Sequence, residues 1–344
     1  MKTNFVKLRW LFTMLLFVTT MIMPTMMLAK SIDLKIPEGD GAGTPYKIGT
    51  AEELYWFAGL VNGTLPGVKK DLSANAILTD DIIVNTGVLD PNKDLVSGND
   101  FIEWIPIGKS SSDDDAYTGT FDGNGHTISG LYFNKSNSWY VGLFGCIGAE
   151  GKISNVGVSD SYFQSSNCPY IGGVCGYNYG GTIKSCYNTA SVSGQYSVGG
   201  VCGDNYEGPI TNCYYLSGTV ADGKGGIGGK DDENGKAVEM SKDRFKSGEV
   251  AWLLNGSKSV STEESTLAWY QKLGENADAY PVLKSTDHNT VYKAPLFSCD
   301  GTTRIGEYAN KPEGDKLSHN YQMAEKADEG TSNLYSEECA ICHN

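Results

Sequence analysis

Two consecutive segments of 27 residues repeat one pattern. Residues 170–196 read YIGGVCGYNYGGTIKSCYNTASVSGQY and residues 197–223 read SVGGVCGDNYEGPITNCYYLSGTVADG, with eleven identical positions and no gap. A fixed period of this length is typical of a solenoid, in which each unit buries its apolar face against its neighbours. Each unit holds two short alternating runs separated by glycine-rich turn residues. The sequence therefore predicts a mainly β protein, a right-handed parallel β-helix.

In such a fold, equivalent residues of successive coils stack at one strand spacing, about 4.8 Å. The repeated glycines and cysteines are predicted to have structural roles. They are Gly172, Gly173, Cys175, Cys186, Gly199, Gly200, Cys202 and Cys213. The chain has nine cysteines, an odd number. We expect either an internal ladder of free thiols or disulfides within or between coils, and neither alternative is catalytic.

The repeated units resemble the GLUG motif, which is found in tandem in bacterial surface proteins. The matching residues are Gly142-Leu143-Phe144-Gly145, Gly173-Val174-Cys175-Gly176 and Gly200-Val201-Cys202-Gly203. The resemblance implies a secreted or surface location, a repeat architecture and an adhesin-like role. The same repeats occur in the N-terminal regions of immunoglobulin A proteases. The motif carries no catalytic residues of its own.

The regions outside the repeat predict caps at both ends. Thr50 and Glu53 form a capping box that opens an amphipathic helix, and Gly63 ends it. The predicted division is a signal peptide (1–29), a linker (30–44), an N-terminal helical cap with the first coils (45–139), repeats (140–230), a small α+β C-terminal cap (231–284) and a polar Cys/His tail (285–344).

The N-terminus has the pattern of an export signal. Lys2, Lys7 and Arg9 precede an apolar run over 10–23, and cleavage is expected after Ala29. The alternative is an uncleaved membrane anchor. No later segment approaches the ~18 apolar residues that a membrane-spanning helix needs. The predicted location is therefore the cell surface or the exterior, with membrane contact only through the signal segment if it is not cleaved.

Charge and aromatic content indicate the class of partner. The net charge is −14, which repels phosphate backbones and excludes nucleic acid as a main partner. We expect a glycan or protein of a host or bacterial surface instead. Tyrosine and tryptophan at the coil edges can stack on sugar rings or contact proteins, although a purely structural ladder is the alternative. The candidate binding residues are Trp139, Tyr140, Tyr177, Tyr179 and Tyr206.

The chain lacks the catalytic motifs of the common hydrolases. There is no H-E-x-x-H and no G-x-S-x-G. We therefore predict that the protein is not an enzyme and has no catalytic residue. The alternative is a carbohydrate-active β-helix lyase or hydrolase that uses the acids of 111–126, namely Asp113, Asp115 and Asp122, together with His126.

The tail contains three cysteines and three histidines. Cys339 and Cys342 in C-x-x-C-H suit haem attachment, a zinc site, or a disulfide or free thiols. A zinc site would use Cys339 and Cys342 with Cys299 and His319, or with His343 in place of His319. No cofactor is predicted, with a structural zinc ion in the tail as the alternative.

Overall fold

The computed structural model describes residues 30–110, 115–221, 224–228, 236–258, 267–283, 288–299, 301–317, 321–326 and 334–339. Its helices and strands lie in the unit Ile32–Asn344. The chain winds through about six turns of a parallel β-solenoid. The predicted fold class is confirmed, because strands of successive coils pair in parallel along the whole array.

Two six-stranded sheets extend along the solenoid. Sheet A contains β1 (Tyr46–Ile48), β2 (Ala76–Leu78), β4 (Thr120–Asp122), β9 (Lys152–Ser154), β14 (Thr182–Lys184) and β19 (Ile210–Thr211). Sheet B contains β3 (Ile82–Ile83), β5 (Thr127–Ser129), β10 (Gly157–Ser159), β15 (Tyr187–Asn188), β20 (Cys213–Leu216) and β21 (Ala237–Met240).

Three shorter sheets complete the coils, with three strands each. Sheet C contains β6 (Tyr132–Asn134), β11 (Tyr162–Ser165) and β16 (Ser191–Gly194). Sheet D contains β7 (Tyr140–Val141), β12 (Tyr170–Gly172) and β17 (Ser197–Gly199). Sheet E contains β8 (Phe144–Ile147), β13 (Cys175–Tyr179) and β18 (Cys202–Tyr206).

The register follows the sequence repeat. Cys175 pairs with Cys202 and Tyr187 with Tyr214, each 27 positions apart. The coil before them is longer, since Tyr140 pairs with Tyr170, 30 positions on. Inward-facing residues form columns through the core; one runs Phe121, Ile153, Ile183 and Ile210, all buried. This part of the core is thus built by stacking of equivalent residues from successive coils.

The predicted N-terminal helix is present as α1 (Ala51–Asn62). The Thr50 side chain accepts a hydrogen bond from the Glu53 amide, and Gly63 ends the helix in the left-handed conformation with φ 64°. The apolar positions of the helix, Leu54, Phe57, Leu60 and Val61, are buried in the main core. The helix therefore covers apolar residues of the first coils.

The first coil differs from the later ones. Its Glu103 bridges to Tyr132 in sheet C and its Ile107 bridges to Phe144 in sheet E. These two residues are four positions apart, whereas Tyr132 and Phe144 are twelve apart. The chain therefore crosses directly from sheet C to sheet E, and β7 is the terminal strand of sheet D in the described chain.

The C-terminal region forms a second core on the outer face of sheet B. It includes α2 (Lys242–Lys246) and α3 (Glu249–Leu254). Phe245, Trp269, Val291 and Tyr308 cluster there with Tyr187 of the repeat. The region predicted as an end cap thus also runs back along the side of the solenoid. Part of the predicted polar tail also packs in this core, as Val291 and Tyr308 do.

The rest of the tail adds small sheets. One joins β22 (Leu296–Phe297), β23 (Arg304–Gly306) and β24 (Asp315–Lys316). The other is an antiparallel pair, β25 (Tyr321–Lys326) and β26 (Leu334–Cys339). The predicted signal peptide, 1–29, lies outside the described residues. Within the part of the chain that is described, no helix has the length and apolar character needed to cross a bilayer.

Candidate ligand-binding surface

A cleft opens where the first coil bypasses sheet D. It has a volume of about 400 Å³ and lies beside the terminal strand β7. We call it the notch. One wall comes from the first coil and the other from the residues around β7. Its lining includes Ile105, Pro106, Lys109, Ser110, Trp139 and Tyr140. The notch is therefore the space that a strand of the first coil leaves empty.

The first-coil wall of the notch is held by Asn62, the last residue of α1. The Asn62 side-chain amide donates to the Pro106 carbonyl (2.9 Å), and its oxygen accepts from the Gly108 amide (2.9 Å). The Lys109 ammonium donates to the Asn62 carbonyl at 2.6 Å. Gly108 adopts φ 80° and approaches the Cys146 carbonyl so closely that a Cβ would lie 2.2 Å from its oxygen. This wall is consequently preorganised.

The opposite wall presents Trp139, whose side chain is 66% exposed. None of the ring contacts among the described residues involves Trp139. Its indole face is therefore open to solvent next to the polar groups of Lys109 and Ser110. An aromatic face flanked by a few polar groups is a common composition of ligand sites.

Next to the notch, tyrosines stack across coils on the outer faces of sheets D and E. We call Tyr140, Tyr170, Tyr177, Tyr179 and Tyr206 the tyrosine row. Tyr140 and Tyr170 lie 5.5 Å apart at an angle of 6°, and Tyr179 and Tyr206 lie 5.4 Å apart at 16°. Tyr177 lies 4.8 Å from Tyr170 and 6.2 Å from Tyr179, which joins the two pairs.

Because these rings stack on one another, the row presents ring edges and hydroxyl groups rather than open faces. Burial raises the pKa of Tyr177 to about 12, and the nearby Asp204 carboxylate adds to the effect. The same two causes raise the pKa of Tyr170. Both phenols are therefore protonated at neutral pH and can donate hydrogen bonds to a ligand.

The structure brings the five predicted binding residues to one side of the solenoid. Four belong to the tyrosine row, and Trp139 precedes Tyr140 at the notch. The sequence did not indicate Ile105, Pro106, Lys109 or Ser110 as neighbours. These residues belong to the first coil, which has coil geometry without the repeat sequence. No periodic signal therefore marked them.

The acids considered for catalysis have structural partners. Asp115 forms an ion pair with Lys70 at 2.8 Å. Asp122 accepts hydrogen bonds from the Asn124 amide (2.9 Å) and the Asn155 side chain (3.0 Å). His126 is buried, and its Nδ1 lies 3.5 Å from a carboxylate oxygen of Asp81. Asp113 lies outside the described residues. The enzymatic alternative stays a prediction.

The described cysteines are buried, and five of them, Cys168, Cys175, Cys186, Cys202 and Cys213, belong to the main core. Cys146, Cys168, Cys175, Cys186, Cys202, Cys213 and Cys299 are buried free thiols. Within the repeat, the thiols of Cys175 and Cys202 donate to carbonyls two residues ahead, and those of Cys186 and Cys213 to carbonyls two residues behind. Burial raises the pKa of Cys146 and Cys168 to about 12, so these two groups are neutral and unreactive at pH 7.

The repeated glycines sit where the backbone comes close to its neighbours. A Cβ on Gly172 would lie 2.2 Å from the Cys175 carbonyl oxygen, and one on Gly199 would lie 2.0 Å from that of Cys202. At the next position, a Cβ on Gly173 would meet the Asn188 side chain at 2.2 Å, and one on Gly200 would meet the Tyr215 ring at 2.3 Å. A side chain at any of these four positions would overlap neighbouring atoms, and the structural role of the glycines stays a prediction.

The predicted zinc ligands are only partly described. Cys299 is buried, whereas His319 and Cys342 lie outside the described residues. Cys339 ends β26, and its side chain is not described. Among the described residues, no group of three or more His, Cys, Asp or Glu side chains could hold a metal ion. The zinc site stays a prediction.

Comparison with known proteins identifies the repeat. Residues 167–193 match the family model of the GLUG motif. The chain therefore contains a GLUG motif. The matched residues form the loop before β12, then β12 to β15 and most of β16. This segment supplies Tyr170, Tyr177 and Tyr179, so most of the tyrosine row lies on the GLUG repeat.

Two curated proteins share part of the sequence. Halomucin from Haloquadratum walsbyi is 37% identical over 98 residues, which cover 28% of this chain and 1% of halomucin. A protein named as a putative Gly-rich membrane protein, from Evansella cellulosilytica, is 35% identical over 78 residues, covering 22% of this chain and 9% of that protein. The matches thus span only a small fraction of the relatives. No solved structure matches the chain.

Proposed function

We propose that the protein is a non-enzymatic, secreted or surface-displayed bacterial β-solenoid that adheres to a glycan. The GLUG repeat and the relative named as a membrane protein support a surface role. The observation that carries the proposal is the notch, which sets the open Trp139 face beside Lys109 and Ser110. In this proposal, a sugar ring stacks on Trp139 and its hydroxyl groups bond the flanking donors.

The shape of the surface favours a chain of sugars over a single one. The notch lies at one end of the tyrosine row, and the row continues across three coils. Tyrosine edges and hydroxyls provide amphipathic contacts along an extended ligand. In this proposal, the notch holds one sugar and the tyrosine row supports the following ones.

The test is a glycan array on the purified protein, followed by titration of the best ligand into the variant Trp139→Ala. We expect loss of about fivefold or more in affinity, since stacking and its desolvation contribute at least ~1 kcal/mol. The matched control is Tyr196→Ala, because Tyr196 is also about half exposed but does not line the notch.

Three results would contradict the proposal. The first is equal affinity of Trp139→Ala and the parent protein, which would mean that the notch does not bind the glycan. The second is binding to proteins but to no glycan. The third is release of shortened products from a bound glycan, which would favour the carbohydrate-active enzyme, and Asp115→Asn and Asp122→Asn would then be the variants to assay.

A further inference from the structure

A second cavity lies on a different side of the solenoid, at the corner between sheets A and B. Its volume is about 510 Å³, within the range of ligand pockets of about 300–1,000 Å³. One wall is formed by residues that end β9, β14 and β19, and the other by the end of α3 and residues 267–268. We call this cavity the corner groove.

The corner groove is built on a repeated backbone feature. Asn155, Ser185 and Asn212 occupy the same corner of three successive coils, and all have positive φ angles of 52° to 55°. Asparagine is among the residues that adopt this conformation most readily. Asn155 and Asn212 are two coils apart, so their side chains recur at about 10 Å, twice the strand spacing.

The floor of the corner groove is rigid. The Ser185 hydroxyl donates to the Leu254 carbonyl at 2.7 Å, and the Ser185 carbonyl accepts from the Trp269 indole at 3.0 Å. The Asn255 side chain donates to the Trp269 carbonyl at 2.7 Å and accepts from the backbone amide of the same residue at 3.2 Å. Hydrogen bonds therefore fix the contact between the solenoid and the second core at this corner.

The lining of the corner groove carries positive charge and no carboxylate. Lys184 and Lys258 both line it, with Ser154, Asn155 and Asn212 as neutral polar neighbours. Within the described part of the chain, neither lysine has an ion-pair partner. Asp122 occupies the same column of sheet A as Lys184 but lies two coils away. Its carboxylate accepts a hydrogen bond from the Asn155 side chain rather than pairing with Lys184.

We propose that the corner groove binds a glycan at an isolated acidic sugar, with the acid group between Lys184 and Lys258. The amides of Asn155 and Asn212 and the Ser154 hydroxyl bond the sugar hydroxyls. A dense polyanion is disfavoured because the whole chain carries a net charge of −14. An isolated carboxylate or sulfate avoids most of that repulsion and still pairs with both ammonium groups.

The test uses an oligosaccharide that ends in glucuronic acid and a matched one that ends in glucose. Calorimetric titration into the purified protein is expected to show binding of the acidic sugar and at least tenfold weaker binding of the neutral one. Lys184→Gln and Lys258→Gln are each expected to lower the affinity for the acidic oligosaccharide about tenfold, because each removes one charge-assisted contact. Both side chains are exposed, so the melting temperature should not change.

The matched control is Lys152→Gln. Lys152 is also exposed and lies on sheet A, in register with Thr182, but it does not line the corner groove. Its substitution should leave binding unchanged. A sulfated oligosaccharide in a third titration identifies the acid: tighter binding than the glucuronic acid ligand assigns a sulfate, and weaker binding assigns a carboxylate.

The inference is overturned if the acidic and neutral oligosaccharides bind equally, if neither binds, or if Lys152→Gln weakens binding as much as the groove variants do. It is independent of the proposed function, because Trp139→Ala changes only the notch. Loss of binding in Trp139→Ala with no effect of the two groove variants would place the acidic sugar in the notch and remove it from the corner groove.

Discussion

Two pairs of tyrosines, each with its members 27 residues apart, differ in their exposure to solvent. Tyr187 and Tyr214 lie on the outer face of sheet B and are almost fully buried, whereas Tyr179 and Tyr206 lie on the outer face of sheet E and are 39% and 52% exposed. Both pairs point away from the solenoid core. The difference is that the described part of the C-terminal region covers sheet B, whereas none of its described residues covers Tyr179 and Tyr206 on sheet E.

The covered pair is part of a dense aromatic cluster. The Tyr187 ring lies 5.2 Å from Trp269 and 5.8 Å from Phe245, and its hydroxyl donates to the Pro281 carbonyl at 3.1 Å. Gly157 makes room for this ring, since a Cβ there would lie 2.5 Å from it. Among the described residues, the rings of the open pair stack on tyrosines of their own row. A row of outward-facing tyrosines therefore becomes part of a core where other residues cover it. Where nothing covers it, the row stays available for a ligand.

The largest expected effect on stability is the loss of the buried Trp269, and the exposed Trp139 provides the comparison. Trp269 is fully buried against sheet B, so Trp269→Ala should lower the free energy of unfolding by about 3–5 kcal/mol. Trp139 is exposed, so Trp139→Ala should change it by less than about 0.5 kcal/mol. Denaturant unfolding measures both. Equal losses would mean that the two faces do not differ in cover.

A smaller effect is expected from removing single hydroxyl groups within the two tyrosine pairs. Tyr187→Phe leaves the Pro281 carbonyl without its buried donor and should cost about 1–2 kcal/mol. Tyr179→Phe removes a hydroxyl from an exposed side chain and should cost less than about 0.5 kcal/mol. The same unfolding measurement applies. A larger cost for Tyr179→Phe would contradict the contrast between the pairs.

The smallest effect is a dependence on alkaline pH. Burial raises the pKa of Tyr187 well above its ordinary value of 10, so the folded state keeps a proton that the unfolded state loses. The stability that this group provides is complete below pH 10 and declines as the pH rises above it. Tyr187→Phe lacks this decline, so the stability gap between variant and parent should narrow above pH 10. Unfolding curves at pH 8 and pH 10.5 would show it, and a constant gap would refute it.

The repeat predicted the register and the interior correctly. Glycine and cysteine recur at 27 residues because each coil places the same residue in the same tight space, as at Gly172 and Gly199. The helix α1 was also predictable, since Thr50, Glu53 and Gly63 are local signals that need no tertiary contact. These features depend on interactions within a coil or between adjacent coils.

The notch and the corner groove were not predictable from the sequence. The notch depends on the first coil crossing from Glu103 to Ile107 without a strand in sheet D, and no repeat marks that coil. The corner groove depends on Lys258 reaching the corner that holds Lys184, 74 positions earlier. The corner groove joins segments that are distant along the chain, and the notch joins two adjacent coils of which the first lacks the repeat sequence. Single-sequence periodicity carries no information about either contact.

The sequence by itself determined that the chain winds into a parallel β-solenoid and which residues stack, because a 27-residue period forces equivalent side chains into register. Only the tertiary structure decided which of the two tyrosine pairs is covered and where the notch and the corner groove open. The physical reason is that stacking depends on neighbours one period apart, whereas cover depends on how the C-terminal residues, such as Trp269, pack on a face whose sequence resembles the open one.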